Sequence, residues 1–413
     1  MIQLKFMNLK KTTVLCLLLI ALVANNYAQE LQAPDRIVLN LTDSPATRLA
    51  VTWRTVDEAK HSQAQIVQAT AQSNLAEKAR SVDAISLAIA VDEHQTYYQH
   101  SAVFSDLTPN TLYAYRVGNS NSWSEWNQFR TARNEFQPFK FTFLGDPQNE
   151  LKSLCSRIFR AAYMQAPDAG FWLLAGDIVD SGNDDQQWGE FFYAAGWIPR
   201  TMPFILLPGN HEYFPESIAN LVMRRLSRLW RPQFTLPENG PAWLEESAYF
   251  LDYQGVRFVM LNGNEKLEEQ AHWLDSLLTE NPNRWTIVSI HQTFYSTGKE
   301  RDHVKMRQLF IPVFDRHHVD LVLQGHDHSY GRTFKLRDGV RVPDSEPGTV
   351  YVVSVSGPKV YSLNPKFESL MAKLGNNVQL FQVISVEWDR LQFQSFTATG
   401  EIYDEFELNH VTP

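Results

Sequence analysis

Residues 204–212 read FILLPGNHE, and residues 321–328 read LVLQGHDH. In both stretches an apolar run is followed by a glycine and then by amide or imidazole side chains. Three more stretches have a similar order: FKFTFLGDPQ at 139–148, FWLLAGD at 171–177 and WTIVSIH at 285–291. Largely apolar runs of this length, bounded by Gly or Pro, predict buried strands. Because sites in open α/β sheets form at the carboxyl ends of strands, we expect the five ends to share one site.

The side chains at these ends are Asp, Asn, His and Gln, which are the types that bind hard or borderline divalent cations. A single Gly-Asp pair such as Gly176-Asp177 has little meaning by itself, because an Asp after a strand often caps the next helix. Five such segments in series predict a site for two metal ions.

The order of these motifs resembles that of the calcineurin-like metallophosphoesterases, whose pattern is D-x-H or a variant, then GD, GNH[DE], a lone H and GHxH. It also resembles the purple acid phosphatases, which carry a small β domain ahead of the same catalytic domain. The catalytic resemblance covers the chain from Phe139 to Thr397. It implies a set of metal ligands composed of Asp146, Gln148, Asp177, Asn210, His291, His326 and His328.

The resemblance also implies a role for each ligand. Asp146 and His328 would bind the first metal, and Asp177 would bridge the two ions. The second metal would be bound by Asn210, His291 and His326. At an extended strand end, His326 and His328 would share a face, and Asp327 would point away as a structural group.

Two residues are the predicted catalytic groups, Asp177 as the bridge and His211 beside the leaving group. His211 would donate a proton to the leaving oxygen or stabilise the phosphoryl charge. Glu212 would either orient His211 through a hydrogen bond or serve as a surface carboxylate or helix cap. Two further residues are candidate substrate contacts. His303 lies between the fourth and fifth motifs, and Arg332 could pair with a phosphate oxygen or form a structural ion pair.

Two positions depart from the related families. Purple acid phosphatases bind Fe(III) through a tyrosine three residues after the Asp of the second motif, and that position here is Asp180. The charge-transfer colour of those enzymes should therefore be absent. Gln148 replaces the His of D-x-H and offers at most a neutral oxygen. We expect two divalent ions, with Mn²⁺, Mg²⁺ or Fe²⁺ favoured over tightly held Zn²⁺.

The segment ahead of these motifs predicts an all-β module. Residues 48–54 and 111–117 alternate apolar and polar side chains, as half-buried strands do, and Trp53 is a candidate core residue. The stretch LTPNTLY at 107–113 resembles the corner of fibronectin type III domains in which a tyrosine hydroxyl bonds back to the chain. The predicted domain, similar to that of purple acid phosphatases, spans 33–132.

The remainder, residues 139–408, predicts an α/β domain. Strand-like runs alternate with amphipathic segments at Leu151–Gln165, Leu267–Leu278 and Lys305–His317, and the end of the chain is rich in strands. The pattern suggests two sheets packed face to face with helices outside. The resemblance implies the same α/β/β/α sandwich of four layers, preceded by an immunoglobulin-like or fibronectin III-like β-sandwich.

The whole chain has 413 residues and a net charge of −9. That charge disfavours broad binding to a nucleic-acid duplex. Residues 1–28 predict an export signal, because lysines precede the apolar run 14–24 and Ala28 is a plausible cleavage point. The alternative is an uncleaved anchor. We therefore expect a periplasmic or secreted protein with no stable membrane span after cleavage.

These observations predict an exported hydrolase of small phosphorylated substrates, in which a metal-bridging hydroxide attacks phosphorus. A phosphomonoesterase of the acid phosphatase type is the first hypothesis. A phosphodiesterase or nucleotidase using the same site is an alternative within the enzyme class. A third reading is an exported binding protein in which the metal-site fold is inert or the ions are structural.

Overall fold

A computed structural model describes residues 33–58, 61–91, 96–217, 220–299 and 301–410. The predicted export signal at 1–28 lies outside these ranges. Within them, no helix is long and apolar enough to cross a membrane.

The first domain is a β-sandwich with one short helix, α1 at Leu75–Lys78. Its strands are β1 Asp35–Leu41, β2 Leu49–Thr55, β3 Gln63–Gln68, β4 Arg80–Asp83, β5 Ile85–Ala90, β6 Thr96–Phe104, β7 Leu112–Gly118 and β8 Asn127–Arg130. Trp53 is fully buried in the core, as its strand pattern predicts. The Tyr113 hydroxyl accepts a hydrogen bond from the Thr108 amide at 2.9 Å, so the predicted tyrosine corner is present.

The second domain begins after a short linker and alternates strands with helices before ending in strands. Its strands are β9 Phe139–Leu144, β10 Trp172–Ala175, β11 Phe204–Leu207, β12 Tyr213–Ser217, β13 Asn220–Leu226, β14 Tyr249–Tyr253, β15 Val256–Leu261, β16 Trp285–Ile290, β17 Leu321–Gln324, β18 Tyr330–Thr333, β19 Leu336–Arg337, β20 Val340–Arg341, β21 Val350–Val353, β22 Met371–Gly375, β23 Leu380–Val386, β24 Arg390–Thr397 and β25 Ile402–Asn409. Its α-helices are α2 Ser156–Gln165, α3 Asp185–Ala195, α4 Trp230–Gln233, α5 Leu267–Thr279 and α6 Val304–Arg316. Shorter helical turns occur at Leu151–Cys155 (π) and at Ile198–Arg200, Asn210–Glu212 and Pro365–Leu370 (3₁₀).

Two sheets of the second domain pack face to face. In the first sheet β9, β10 and β11 are parallel neighbours, and in the second β15, β16, β17 and β21 are parallel. Aromatic rings fill the space between them, with Phe141 and Phe171 each about 5 Å from Phe258 between ring centres. Helix α2 covers the outside of the first sheet, where Phe159 stacks on Trp172, while α5 and α6 supply the core outside the second. The predicted sandwich of four layers is confirmed.

The two domains share one sheet. Strand β1 of the first domain runs parallel to β11 of the second, and Asn40 pairs with Phe204. The Asn40 side chain also donates to the Phe204 carbonyl at 3.0 Å. Nearby, the buried Arg36 guanidinium binds both carboxylate oxygens of Asp185, at 2.5 and 2.9 Å. Strands of the first domain therefore extend the sheet that contains β9, β10 and β11, and β1 supports the strand that carries the third motif.

Candidate metal centre

The five sequence segments converge at the carboxyl ends of β9, β10, β11, β16 and β17. Four of their ligand candidates have positive φ angles: Asp146 (45°), Asp177 (47°), His326 (76°) and His328 (46°). Residues with side chains seldom adopt this left-handed region, and each such residue costs on the order of 1 kcal/mol or more. The strain is concentrated where the turns aim polar side chains inward.

The angles also correct one expectation. His326 and His328 do not lie on an extended strand end, so strand alternation is not what brings both to the site. Strand β17 ends at Gln324, and the left-handed turn then directs the two imidazoles to different clusters. Asp327 does point away, as expected: its buried carboxylate accepts from the Ser296 hydroxyl at 2.8 Å and the Thr297 amide at 2.7 Å.

The candidate ligands form two clusters that share one residue. Asp146, Asp177 and His328 make the first, and Asp177, His291 and His326 make the second. Within each cluster the donor atoms lie within 4.8 Å of one another. Asp177 belongs to both clusters because a carboxylate has two oxygens and can bind two cations. This is the arrangement of a dinuclear site, in which two ions lie roughly 3.5–4 Å apart.

The second cluster brings together nitrogen and oxygen atoms that can all present lone pairs to a cation. His291 Nδ1 lies 2.8 Å from the Ala175 carbonyl, which only accepts, so Nδ1 carries the proton in neutral His291. His291 Nε2 then presents a lone pair. It faces the Asn210 amide oxygen at 3.2 Å, an Asp177 oxygen at 3.1 Å and His326 Nδ1 at 3.1 Å. Converging lone pairs of mixed oxygen and nitrogen type fit a borderline divalent cation.

The first cluster contains buried polar atoms that lack partners among the described residues. They are Asp146 Oδ1, His328 Nδ1 and Gln148 Oε1. Such atoms are rare inside proteins and call for a ligand to satisfy them. A cation bound between Asp146 and His328 would give Asp146 Oδ1 the partner it lacks.

Gln148 reaches this cluster, but its amide nitrogen faces inward. Nε2 donates to Asp177 at 3.2 Å and lies 3.0 Å from His328 Nε2. To act as the predicted ligand, the amide would have to rotate so that Oε1 faces the cation. In the present orientation Gln148 positions two ligands instead of binding metal itself.

The buried charges make the site attractive to cations. Burial would lower the pKa of His291, but the Asp177 carboxylate outweighs burial and raises the pKa to about 9. The reciprocal effect holds the pKa of Asp177 below its usual range, although burial opposes it. Burial, reinforced by the Lys359 charge, lowers the pKa of His328 to about 3. A field that draws a proton to His291 also favours a metal ion.

Of the roles considered for Glu212, the helix cap is confirmed, because its carboxylate accepts the Gly209 amide at the start of the 3₁₀ turn Asn210–Glu212, and the surface carboxylate is wrong. Its carboxylate is fully buried and accepts four backbone N–H groups: Asp177 at 3.0 Å, Ile178 at 2.9 Å, Val179 at 3.3 Å and Gly209 at 2.7 Å. None of these four hydrogen bonds involves the His211 ring. Burial and the nearby Asp177 charge raise its pKa to about 8. Glu212 therefore ties the second motif to the third.

His211 lies at the rim of the site with about a quarter of its side chain exposed. Its Nδ1 donates to the Asp180 carbonyl at 2.6 Å, which leaves Nε2 facing the cluster, 3.9 Å from an Asp177 oxygen. The backbone amide of His211 also donates to Asp177 at 2.8 Å. Its position is suitable for a proton donor beside a bound phosphoryl group.

The two candidate substrate contacts have different surroundings. The His303 ring lies 5.4 Å from the His326 ring between centres, and its buried Nε2 has no partner among the described residues. Arg332 is not brought to the site. Its guanidinium pairs with both carboxylate oxygens of Asp404 at 2.7 and 3.0 Å, and the Tyr330 hydroxyl donates to the same carboxylate. The structural ion pair is therefore the correct reading of Arg332.

Another group of residues, which no sequence motif indicates, lies beside the first cluster, and its Lys359 approaches the same Asp180 carboxylate as His211 does. Tyr361 packs edge-on against His328 with ring centres 4.7 Å apart, and Lys299, Arg301 and Lys359 surround its ring. These residues lie on two loops and match no motif. The only signal in the sequence is that lysine and arginine follow the fourth motif by ten residues or less.

Two stretches of the chain match known family models. The family described as purple acid phosphatase, N-terminal domain, matches residues 34–131, and the family described as calcineurin-like phosphoesterase matches residues 139–330. The resemblance inferred from the motifs is thereby confirmed.

Curated relatives and solved structures agree with these matches. An uncharacterised protein of Mycobacterium tuberculosis is 27% identical over 308 residues, which cover 62% of this chain and 57% of the relative. Purple acid phosphatase 21 of Arabidopsis thaliana is 28% identical over 243 residues, which cover 56% and 53%. The chain thus spans little more than half the length of these relatives. In fold it is similar to purple acid phosphatase PPD1 from yellow lupin seeds, with a TM-score of 0.78, 18% identity, and coverage of 92% of this chain and 75% of that chain.

Proposed function

Since the chain joins a purple acid phosphatase N-terminal domain to a calcineurin-like phosphoesterase domain, we propose that it is a metal-dependent phosphoric ester hydrolase and acts on phosphomonoesters. The observation that carries the proposal is the position of Asp177, whose carboxylate belongs to both ligand clusters. A site for a single structural ion would not require a shared carboxylate.

Two bound divalent ions would supply Lewis-acid activation of a water molecule and neutralise charge on the phosphoryl oxygens. The chain's own residues fix where this happens. Asp146 and His328 would hold one ion, while Asn210, His291 and His326 would hold the other. The Ala175 carbonyl fixes the His291 tautomer so that Nε2 is free to bind.

His211 supplies the protein's own proton chemistry. Its Nδ1–H is committed to the Asp180 carbonyl, so only Nε2 can serve the substrate. In the imidazolium form, Nε2–H would donate to the departing ester oxygen and then recover a proton from solvent through the exposed rim. Because the proposed nucleophile is a metal-activated water molecule, we expect no covalent phosphoenzyme.

Two residues that differ from the related families indicate which metals to expect. Asp180 stands where the coloured enzymes carry tyrosine, and its carboxylate is about half exposed beside His211. Gln148 contributes no imidazole to the first cluster. We therefore expect a colourless protein that is activated by Mn²⁺, Mg²⁺ or Fe²⁺, with the first ion the more easily removed.

The test is an assay of metal-stripped protein with a chromogenic monoester and a chromogenic diester, repeated after addition of each metal. Restored turnover of the monoester supports the proposal, whereas restored turnover of the diester alone supports the phosphodiesterase reading. If the metal-loaded protein hydrolyses neither ester, the result would support a binding protein whose metal-site fold is catalytically inert. Asp168→Asn is a matched control for Asp177→Asn, since Asp168 is exposed and pairs with Lys140 on the surface, away from the ligand clusters.

We also propose that the protein is exported. The basic and apolar residues at the N-terminus support this, and the mature chain would begin at Gln29. N-terminal sequencing of the native protein after cell fractionation tests the proposal; recovery in the cytoplasm would contradict export, and a membrane-bound chain retaining residues 1–28 would support the uncleaved anchor.

A further inference from the structure

Three cationic side chains gather around one aromatic ring beside the metal centre. Lys299 Nζ lies 3.7 Å from the centre of the Tyr361 ring, Arg301 Cζ lies 5.2 Å from it and Lys359 Nζ lies 5.8 Å from it. The same ring contacts His328, a ligand candidate of the first cluster, with ring centres 4.7 Å apart. We call Lys299, Arg301, Lys359 and Tyr361 the Tyr361 shelf.

The backbone fixes the shelf in place. The Tyr361 amide donates to the His328 carbonyl at 3.2 Å, and the Lys299 amide donates to the Ser362 carbonyl at 2.9 Å. The Asn364 amide in turn donates to the Thr297 carbonyl at 2.9 Å, so the two loops are joined along their length. Lys299 has a positive φ of 54°, a strained conformation that directs its side chain to the ring. The shelf is preorganised and adjoins the fifth motif directly.

The shelf is positively charged, whereas the protein as a whole is acidic. The chain as a whole carries −9, yet three cations lie together next to a site that binds further cations. One nitrogen of Arg301 already donates to the His326 carbonyl and approaches Asp327, and Lys359 makes a 3.8 Å contact with Asp180. Lys299 is exposed, and its ammonium group lies over the face of the Tyr361 ring. Asp327 and Asp180 offset the Arg301 and Lys359 charges in part, and the remaining positive charge around the ring favours a further anion.

We propose that the Tyr361 shelf binds a second phosphate of the substrate, carried on the leaving group, so that the protein prefers esters with two phosphates to esters with one. This inference rests on the proposed function. The scissile phosphoryl group occupies the metal centre, and the leaving group extends across His328 toward Lys299 and Lys359. Tyr361 holds the ammonium groups by cation–π attraction until the second phosphate arrives.

The test compares fructose 1,6-bisphosphate with fructose 1-phosphate, which differ by one phosphate. The measured quantity is the kcat/KM for the bisphosphate divided by the kcat/KM for the monophosphate. Removing both lysine charges in the double variant Lys299→Gln, Lys359→Gln should lower this ratio about three- to tenfold. The control double variant Lys140→Gln, Lys305→Gln removes the same charge from exposed positions outside the shelf and should keep the wild-type ratio. Lys299→Arg, Lys359→Arg keeps the charge and should keep most of the preference.

Two outcomes separate the proposals. If the double glutamine variant hydrolyses both sugar phosphates with the wild-type ratio, the second-phosphate site is refuted. The proposed phosphoesterase function is then unaffected. If the metal-loaded protein hydrolyses neither sugar phosphate, the second-phosphate site can still be tested by binding. Calorimetry would then compare the affinities for methylenediphosphonate and inorganic phosphate. The double glutamine variant should then weaken the diphosphonate selectively, and equal affinities in wild type and variant refute the second-phosphate site.

Discussion

Gly209→Ala should disable the site without removing any ligand atom. The backbone at Gly209 has φ −89° and ψ −170°, which alanine adopts without strain. A Cβ there, however, would lie 2.1 Å from Asp177 Oδ1 and 2.3 Å from the Asp177 amide nitrogen, whereas ordinary contacts begin at 3.4 Å. The shared carboxylate must therefore move by about 1 Å or more, and a displacement of that size costs on the order of 100-fold in rate.

The assay is kcat/KM for a chromogenic monoester at saturating Mn²⁺, with metal content measured in parallel. Overpacking should also cost about 1–3 kcal/mol in the free energy of unfolding. The control is Gly189→Ala in α3, where the nearest atom to the new Cβ is the end of the Arg36 side chain at 3.2 Å; its activity should stay at the wild-type level. Activity of Gly209→Ala within about twofold of wild type, with full metal content, would falsify the claim that Asp177 must sit where it does.

Further predictions address the ligands, the metal and the first domain. Asp177→Asn should abolish most turnover and weaken binding of both ions, measured by dialysis; near-wild-type turnover would contradict a bridging role. Gln148→His should raise Zn²⁺ affinity by about tenfold or more, because imidazole is the better ligand for that ion; an unchanged affinity would show that residue 148 does not face the first ion. In metal-free protein the raised pKa of His291, about 9, contributes stability below pH 6.5 that is lost as the pH rises through 9; chemical denaturation should show a fall of a few kcal/mol that His291→Gln lacks. Tyr113→Phe removes the acceptor of the Thr108 amide and should lower the free energy of unfolding by about 1 kcal/mol without affecting catalysis; an unchanged melting temperature would count against the corner.

The elements that lead into the site follow closely from local sequence. The runs Phe139–Leu144, Phe204–Leu207 and Trp285–Ile290 are strands with the bounds predicted from their apolar pattern. They lie largely buried between helices and the opposite sheet, so most of their side chains are apolar and the signal is strong. The helix predicted at Leu267–Leu278 likewise agrees with the structure to within a residue.

What could not be predicted depends on partners distant in the sequence. The pairing of Asn40 with Phe204 joins the two domains across more than 160 residues, and no local pattern encodes it. From local sequence Arg332 could be a phosphate ligand. In the folded protein its guanidinium instead pairs with Asp404 on the last strand. The left-handed turn at His326 reflects hydrogen bonds such as that from its amide to Asp146, which exist only in the assembled site.

Crystals grown with Mn²⁺ and measured for anomalous scattering test the dinuclear centre most directly. Two peaks should flank the Asp177 carboxylate, roughly 3.5–4 Å apart. One should lie against Asp146 and His328, and the other against Asn210, His291 and His326. A single peak, or two peaks that do not share Asp177, would contradict the account.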